Sequence, residues 1–147
     1  MYLEETVSDK ETQATSIPPS RVVAVEDQPF WDAIDTGKVL LARCSCGAYY
    51  ARSQACLRCD ATAQSMTWEP ASGQGTVRTF VVFDKPYHPY FTERLPYVVA
   101  VVALTEGPEI TTNVIDTDVA NVQIGMPVRI VIGERGEQKI PQASARV

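Results

Sequence analysis

The chain has 147 residues, of which 45% are hydrophobic and 21% charged, with four cysteines, one histidine and a net charge of −5. That composition excludes fibrous and wholly disordered classes, and the length holds one ordinary domain, or a small module ahead of a compact one, but not two full-sized domains. The acidic balance argues against a general nucleic-acid binder, which needs positive surface to displace counterions from phosphate.

Residues 1–26 form the first segment, an arm with no helical or alternating apolar period. Ile17-Pro18-Pro19-Ser20 favours extended backbone within it. Glu4, Glu5 and Asp9 sit where a secretory signal would be basic and apolar. The longest apolar run, Tyr97 to Leu104, falls far short of the roughly 20 residues that span a bilayer as a helix. The expectation is a cytoplasmic protein without a membrane partner.

Residues 27–66 are expected to hold a short helix followed by a metal-binding ribbon. Gln28 to Thr36 reads as the helix, with Asp27 placed to cap it, Pro29 in the first turn and Gly37 as a left-handed stop. Phe30, Trp31 and Ile34 fall on one side of it and need a cover, either the following domain or another chain. Val39 to Ala42 and Ala48 to Ala51 read as short strands around the first of two cysteine pairs.

Those pairs, Cys44-Ser45-Cys46-Gly47 and Cys56-Leu57-Arg58-Cys59, carry the strongest chemical signal in the chain. Four thiolates brought together satisfy tetrahedral zinc, with sulfur at about 2.3 Å and no further ligand needed when the site is structural. A cytosolic chain has little use for disulfides. Iron in a rubredoxin-like electron carrier, redox chemistry and disulfides are the alternatives. The first pair is one residue tighter than the usual Cys-x-x-Cys knuckle, and Gly47 permits the turn. A shell closed by sulfur leaves no position for substrate, so the ion is expected to hold structure and the chain is not expected to catalyse alone. His88, the single histidine, reads as a loop residue rather than a base.

The cysteine segment is also the basic one. Residues 1–37 hold two basic and eight acidic side chains, residues 38–60 four and one, and residues 61–147 seven and nine. Arg43, Arg52 and Arg58 with Lys38 form either a solvated rim or a phosphate contact, for which the planar guanidinium is suited.

Residues 67–147 read as five short strands near Gly75–Phe83, Tyr97–Thr105, Glu109–Ile115, Pro127–Ile132 and Gln138–Gln142. Glu106-Gly107-Pro108 and Gly133-Glu134-Arg135-Gly136 look like their hairpin connections. Five strands with almost no helix predict a small barrel of the OB-fold kind. The fold class is therefore mainly β: a short helix and zinc ribbon, then a five-stranded OB-fold barrel. The irregular stretch Asp84 to Pro96 carries Tyr87, His88, Tyr90 and Phe91 and reads as either a functional loop or a lid on the barrel.

Taken in order, Phe30-Trp31, Gly37 to Cys44, Cys56-x-x-Cys59, Trp68 to Val77, Tyr87-His88-Pro89-Tyr90-Phe91 and Ile124-Gly125-Met126-Pro127-Val128 resemble the acyl-CoA-associated OB-fold family with an N-terminal rubredoxin-like zinc ribbon. The resemblance spans Asp27 to Gln142. It implies a non-catalytic subunit, in a hetero-oligomer, of a thiolase-like catalytic partner, with a second ketoacyl-synthase-like subunit beside it. The pattern looks most like the small subunits of bacterial phloroglucinol acetyltransferases, which act in the C-acetylation of an aromatic ring. Accessory subunits of acyl-CoA thiolases and steroid side-chain aldolases share the plan. Phe30, Trp31, Arg43, Arg52, Arg58, Tyr87, His88, Tyr90 and Phe91 are the expected partner or phosphate contacts. A single-stranded nucleic-acid module, with Tyr49, Tyr50 and Phe80 stacking on bases, is the reading from another class.

Overall fold

A computed structural model describes residues 17–147. The arm's first sixteen residues lie outside the described part; from Pro18 to Ala24 it runs without helix or strand, and Val25–Asp27 form a short 3-10 turn. The Arg21 amide donates to Gln138 Oε1 at 2.7 Å, and its guanidinium holds both oxygens of Asp35 at 2.8 Å.

Helix α1 spans Gln28–Asp35 and stops at Gly37, whose φ of +85° is the left-handed conformation expected there. Asp27 does not cap it. Its carboxylate instead accepts from the Ser53 amide at 2.9 Å and lies 4.0 Å from Arg52, so it ties the helix start to the ribbon. The apolar side of α1 is covered within the chain: Phe30 and Ile34 are 1% and 0% exposed, and Val39, Trp68 and Ile132 pack against them.

Three strands make the ribbon sheet in the order β2-β1-β3, with β1 Leu40–Arg43, β2 Tyr49–Tyr50 and β3 Thr67–Pro70. β3, read from sequence as the start of the barrel unit, pairs antiparallel with all of β1, from Leu40 opposite Pro70 to Arg43 opposite Thr67. Adjacent side chains on a strand point to opposite faces. Leu41 therefore enters the barrel core while Ala42 lies in the cysteine cluster.

The remaining strands, β4 Gln74–Phe83, β5 Tyr97–Leu104, β6 Glu109–Ile115, β7 Pro127–Arg135 and β8 Gln138–Ser144, close into a barrel ordered β4-β5-β6-β8-β7. All contacts are antiparallel except β6 with β8, which run parallel at Val114–Ala143 and Ile115–Ser144. This is the five-stranded OB arrangement. Val77, Val98, Val102 and Val128 fill its interior and are almost fully buried. Pro127 opens β7, where no ladder donor is needed. Gly133 to Arg135 belong to β7 rather than to a connection: the ladder continues to Arg135 opposite Gln138, and the turn is only Gly136-Glu137. A two-residue hairpin matches strand twist when its first residue takes positive φ, as Gly136 does at +62°. No described helix is long and apolar enough to cross a membrane.

Candidate metal centre

The first cysteine pair sits where β1 ends. The Cys44 amide donates to Ala48 at 2.8 Å and the Gly47 amide to Cys44 at 2.9 Å, with Gly47 at a φ of +93°. A side chain at that φ would be strained. The second pair lies in a turn closed by the Cys56 amide on the Ala61 carbonyl at 3.0 Å. Together the turns bring four free sulfurs within 4.8 Å of one another. Cys44 Sγ is 3.5 Å from Cys59 Sγ, and Cys46 Sγ is 3.6 Å from Cys56 Sγ.

Four sulfurs at about 2.3 Å from one ion stand about 3.8 Å apart along the edges of a tetrahedron. The donor set and spacing therefore fit a tetrahedral metal. Tyr50 Oη lies 3.3 Å from Cys56 Sγ and accepts from the Leu57 amide at 2.8 Å. The hydroxyl, helped by the amides of Arg58 and Cys59, pulls Cys56 down to about 6. Cys44 is lowered too, chiefly by the Cys46 amide. For Cys59 the Ala61 amide acts downward, but Cys44, Cys56 and burial prevail and push it up to about 12. Four adjacent sulfurs cannot all ionise without a cation among them. A dication removes that conflict and, held by four thiolates, leaves a formal charge of about −2.

The basic residues named with this segment do not form one patch. Arg43 pairs with Glu69 at 3.1 Å and lies over Tyr49. Arg52 turns toward α1, 4.6 Å above the Phe30 ring and 5.1 Å above Trp31. Arg58 stays exposed in the knuckle turn. Beside it Leu57 is 83% exposed, a feature signalled by an apolar residue inside a Cys-x-x-Cys turn but passed over in sequence. Phe30 and Trp31 lie buried beneath the ribbon and barrel, not on a partner surface.

The aromatic loop is more ordered than expected. Pro89–Arg94 forms a 3-10 turn, and His88 Nδ1 accepts from the Tyr90 amide at 3.1 Å. Tyr87 is exposed and meets Phe83 edge-on, Arg94 covers Tyr90 at 3.8 Å, and Phe91 sits 4.9 Å from Tyr97. A cleft of about 210 Å³ separates this loop from the barrel wall at Asn113, Glu134 and Arg135. Of the three aromatics read as base-stacking residues, Tyr49 bonds Glu69 and, like Phe80, packs on the barrel core, while Tyr50 supports the cysteines.

Comparison with known proteins centres on the barrel. Residues 68–133 match the model of the ChsH2 C-terminal OB-fold domain. The chain is 33% identical over 128 residues to a probable enoyl-CoA hydratase alpha subunit of Thermomonospora curvata, covering 81% of this chain and 38% of that one. It is 35% identical over 72 residues to a DUF35 domain-containing scaffold protein of Methanothermobacter thermautotrophicus, covering 47% and 53%. The chain thus spans less than two thirds of the length of either relative. Among solved structures, the Ltp2-ChsH2(DUF35) aldolase superposes with a TM-score of 0.76 at 27% identity, covering 87% of this chain and 100% of that one. Over its barrel the chain is thus similar to the ChsH2 C-terminal OB-fold domain, and over ribbon and barrel together to the aldolase chain.

Proposed function

We propose that this chain is a non-catalytic, zinc-binding scaffold subunit of a complex whose chemistry resides in a thiolase-like partner acting on acyl-CoA or activated acyl groups. The observation that carries the reading is the likeness to the aldolase chain, which extends over ribbon and barrel together. The relative described as a scaffold protein supports the same role.

The four-thiol cluster supports zinc as a structural ion, because a sulfur-filled tetrahedron has no open position for water or substrate. This chain's residues would hold the ion and thereby fix the knuckle; the exposed Leu57 and Arg58 at its tip are the contact surface we assign to the partner. The aromatic loop and its cleft give a second contact face. The narrower form of the proposal is acetylation of a phloroglucinol-type ring with a second ketoacyl-synthase-like subunit, and it rests on the motif order in the sequence alone.

Coexpression with the thiolase-like product of a neighbouring gene tests the reading. The expected result is co-purification of the two chains and acyl-transfer or aldol-cleavage activity that needs the partner's cysteine. Full acyl transfer by the isolated chain would refute it. Transfer of acetyl to phloroglucinol by the reconstituted complex decides the narrower form.

A further inference from the structure

β4 is paired along its whole length on one side and only at its start on the other. Its ladder with β7 ends where Thr76 faces Pro127. Val77 bonds away from β5, its amide donating to Met126 at 3.0 Å and its carbonyl accepting from Gly125 at 2.7 Å. A bulge at Arg78 then resets the register, so that Thr79 faces Val101 and Phe80 faces Ala100. Alternation along an antiparallel ladder turns the amides and carbonyls of Phe80 and Val82 away from β5. The far edge of β5 gives the same parity: the Val98 carbonyl accepts from the Asn113 side chain and the Leu104 amide donates to Pro108, both on the β6 side.

Among the described residues no strand pairs with β4 along this edge, and no hydrogen bond reaches the outward groups of Phe80 and Val82. Val81 and Val82 are 57% and 41% exposed, one on each face, between Phe80, which packs on the barrel core, and Phe83, which stacks on Tyr97. Native edges are protected by charge or proline; Thr79 to Phe83 contains neither.

We propose that this edge pairs with the same edge of a second copy, antiparallel about a two-fold axis at Val81. Only three registers near the centre present outward groups to each other: Phe80 opposite Phe80, Val82 opposite Val82, or Phe80 opposite Val82. The third alone brings Arg78, which pairs with Glu109 of its own chain, level with Asp84 of the second copy, once at each end of the ladder. Such exposed pairs add little affinity but select the register. Among the described residues each chain has one such edge, so the assembly closes at two copies. The pairing does not rest on the scaffold reading.

Sedimentation equilibrium on the full chain over a wide dilution series tests it. The wild type is expected to dimerise reversibly. Val82→Pro removes only an outward donor and raises the dimer dissociation constant about thirtyfold, one backbone bond being lost on each copy. Val81→Lys, at an exposed position, sets like charges face to face and gives a monomer with unchanged far-UV circular dichroism. A wild type that stays monomeric throughout overturns the proposal, as does a dimer that persists in folded Val81→Lys. If the wild type is monomeric and Val81→Lys loses capture of the thiolase-like chain, the edge belongs to that chain and the second copy is refuted. A monomer that still binds it refutes the pairing alone and leaves the scaffold reading standing.

Discussion

Replacing Phe30 by alanine separates two roles for α1, an internal wedge and a partner-facing element. Phe30 is 1% exposed, meets Trp31 edge-on at 5.1 Å, and is backed by Ile34 and by Val39, Trp68 and Ile132 from the ribbon and barrel. Truncating a buried phenylalanine costs about 3–5 kcal/mol. The guanidinium of half-exposed Arg52 over the ring adds about 0.5–1 kcal/mol. At about 2.1 cal/mol/K per residue the chain's unfolding entropy is about 0.3 kcal/mol/K, so a loss near 4 kcal/mol lowers Tm by roughly 13 °C. Differential scanning calorimetry of the metal-loaded chain measures this, with Leu57→Ser as a control expected to stay within about 0.5 kcal/mol of wild type. A Phe30→Ala protein melting within about 2 °C of wild type, yet failing to capture the thiolase-like chain proposed as its partner, would refute the buried wedge.

Trp31 carries the one buried side-chain nitrogen or oxygen among the described residues without a hydrogen-bond partner, its Nε1. Because an orphaned donor costs about 1–3 kcal/mol, Trp31→Phe is expected to cost within about 1 kcal/mol in urea denaturation, against about 3–5 for Trp31→Ala. Elemental analysis of the purified chain is expected to find one zinc ion per chain; Cys46→Ser should lower that stoichiometry and unfold the ribbon, and full zinc retention would remove Cys46 from the site. The Arg21 guanidinium holds the Asp35 carboxyl below its ordinary range. Its stabilisation is present above the unfolded pKa and is lost as pH falls through the lower folded value. Asp35→Asn should therefore be less stable than wild type at neutral pH and equal to it in strong acid, and a difference that persists in acid would count against the pair.

Much of this was legible along the chain because it depends on near neighbours. The five barrel strands are bounded by turn residues and start within a residue of the expected positions, and two short cysteine spacings were enough to indicate a cluster. What escaped depends on distant partners. Asp27 looks like a cap, yet a ribbon amide twenty-six positions away takes its carboxylate. For Phe30 and Trp31 the sequence left the cover open between the barrel and another chain, because it comes from Trp68 and Ile132, elements that meet the helix only after the barrel closes. β3 was assigned to the barrel because its pairing with β1 crosses the whole cysteine segment. Arg52 looked like part of a knuckle rim, and its cation–π contacts follow from where α1 lies rather than from spacing.

Leu41 and Ala42 are consecutive residues of one strand, one in the barrel interior and the other beneath the cysteines. The chain passes from ribbon to barrel through Ala71-Ser72-Gly73, and each of these is pinned: the Ala71 amide donates to Val39, the Ser72 amide to Glu106, and the Gly73 carbonyl accepts from Ile130, while α1 is wedged across the same junction. Whatever grips the knuckle therefore also aims the mouth of the barrel. In an assembly, the ribbon would act as a handle whose orientation is transmitted rigidly, and a lengthened β1 would misalign the far end of the molecule while leaving every contact at the grip intact.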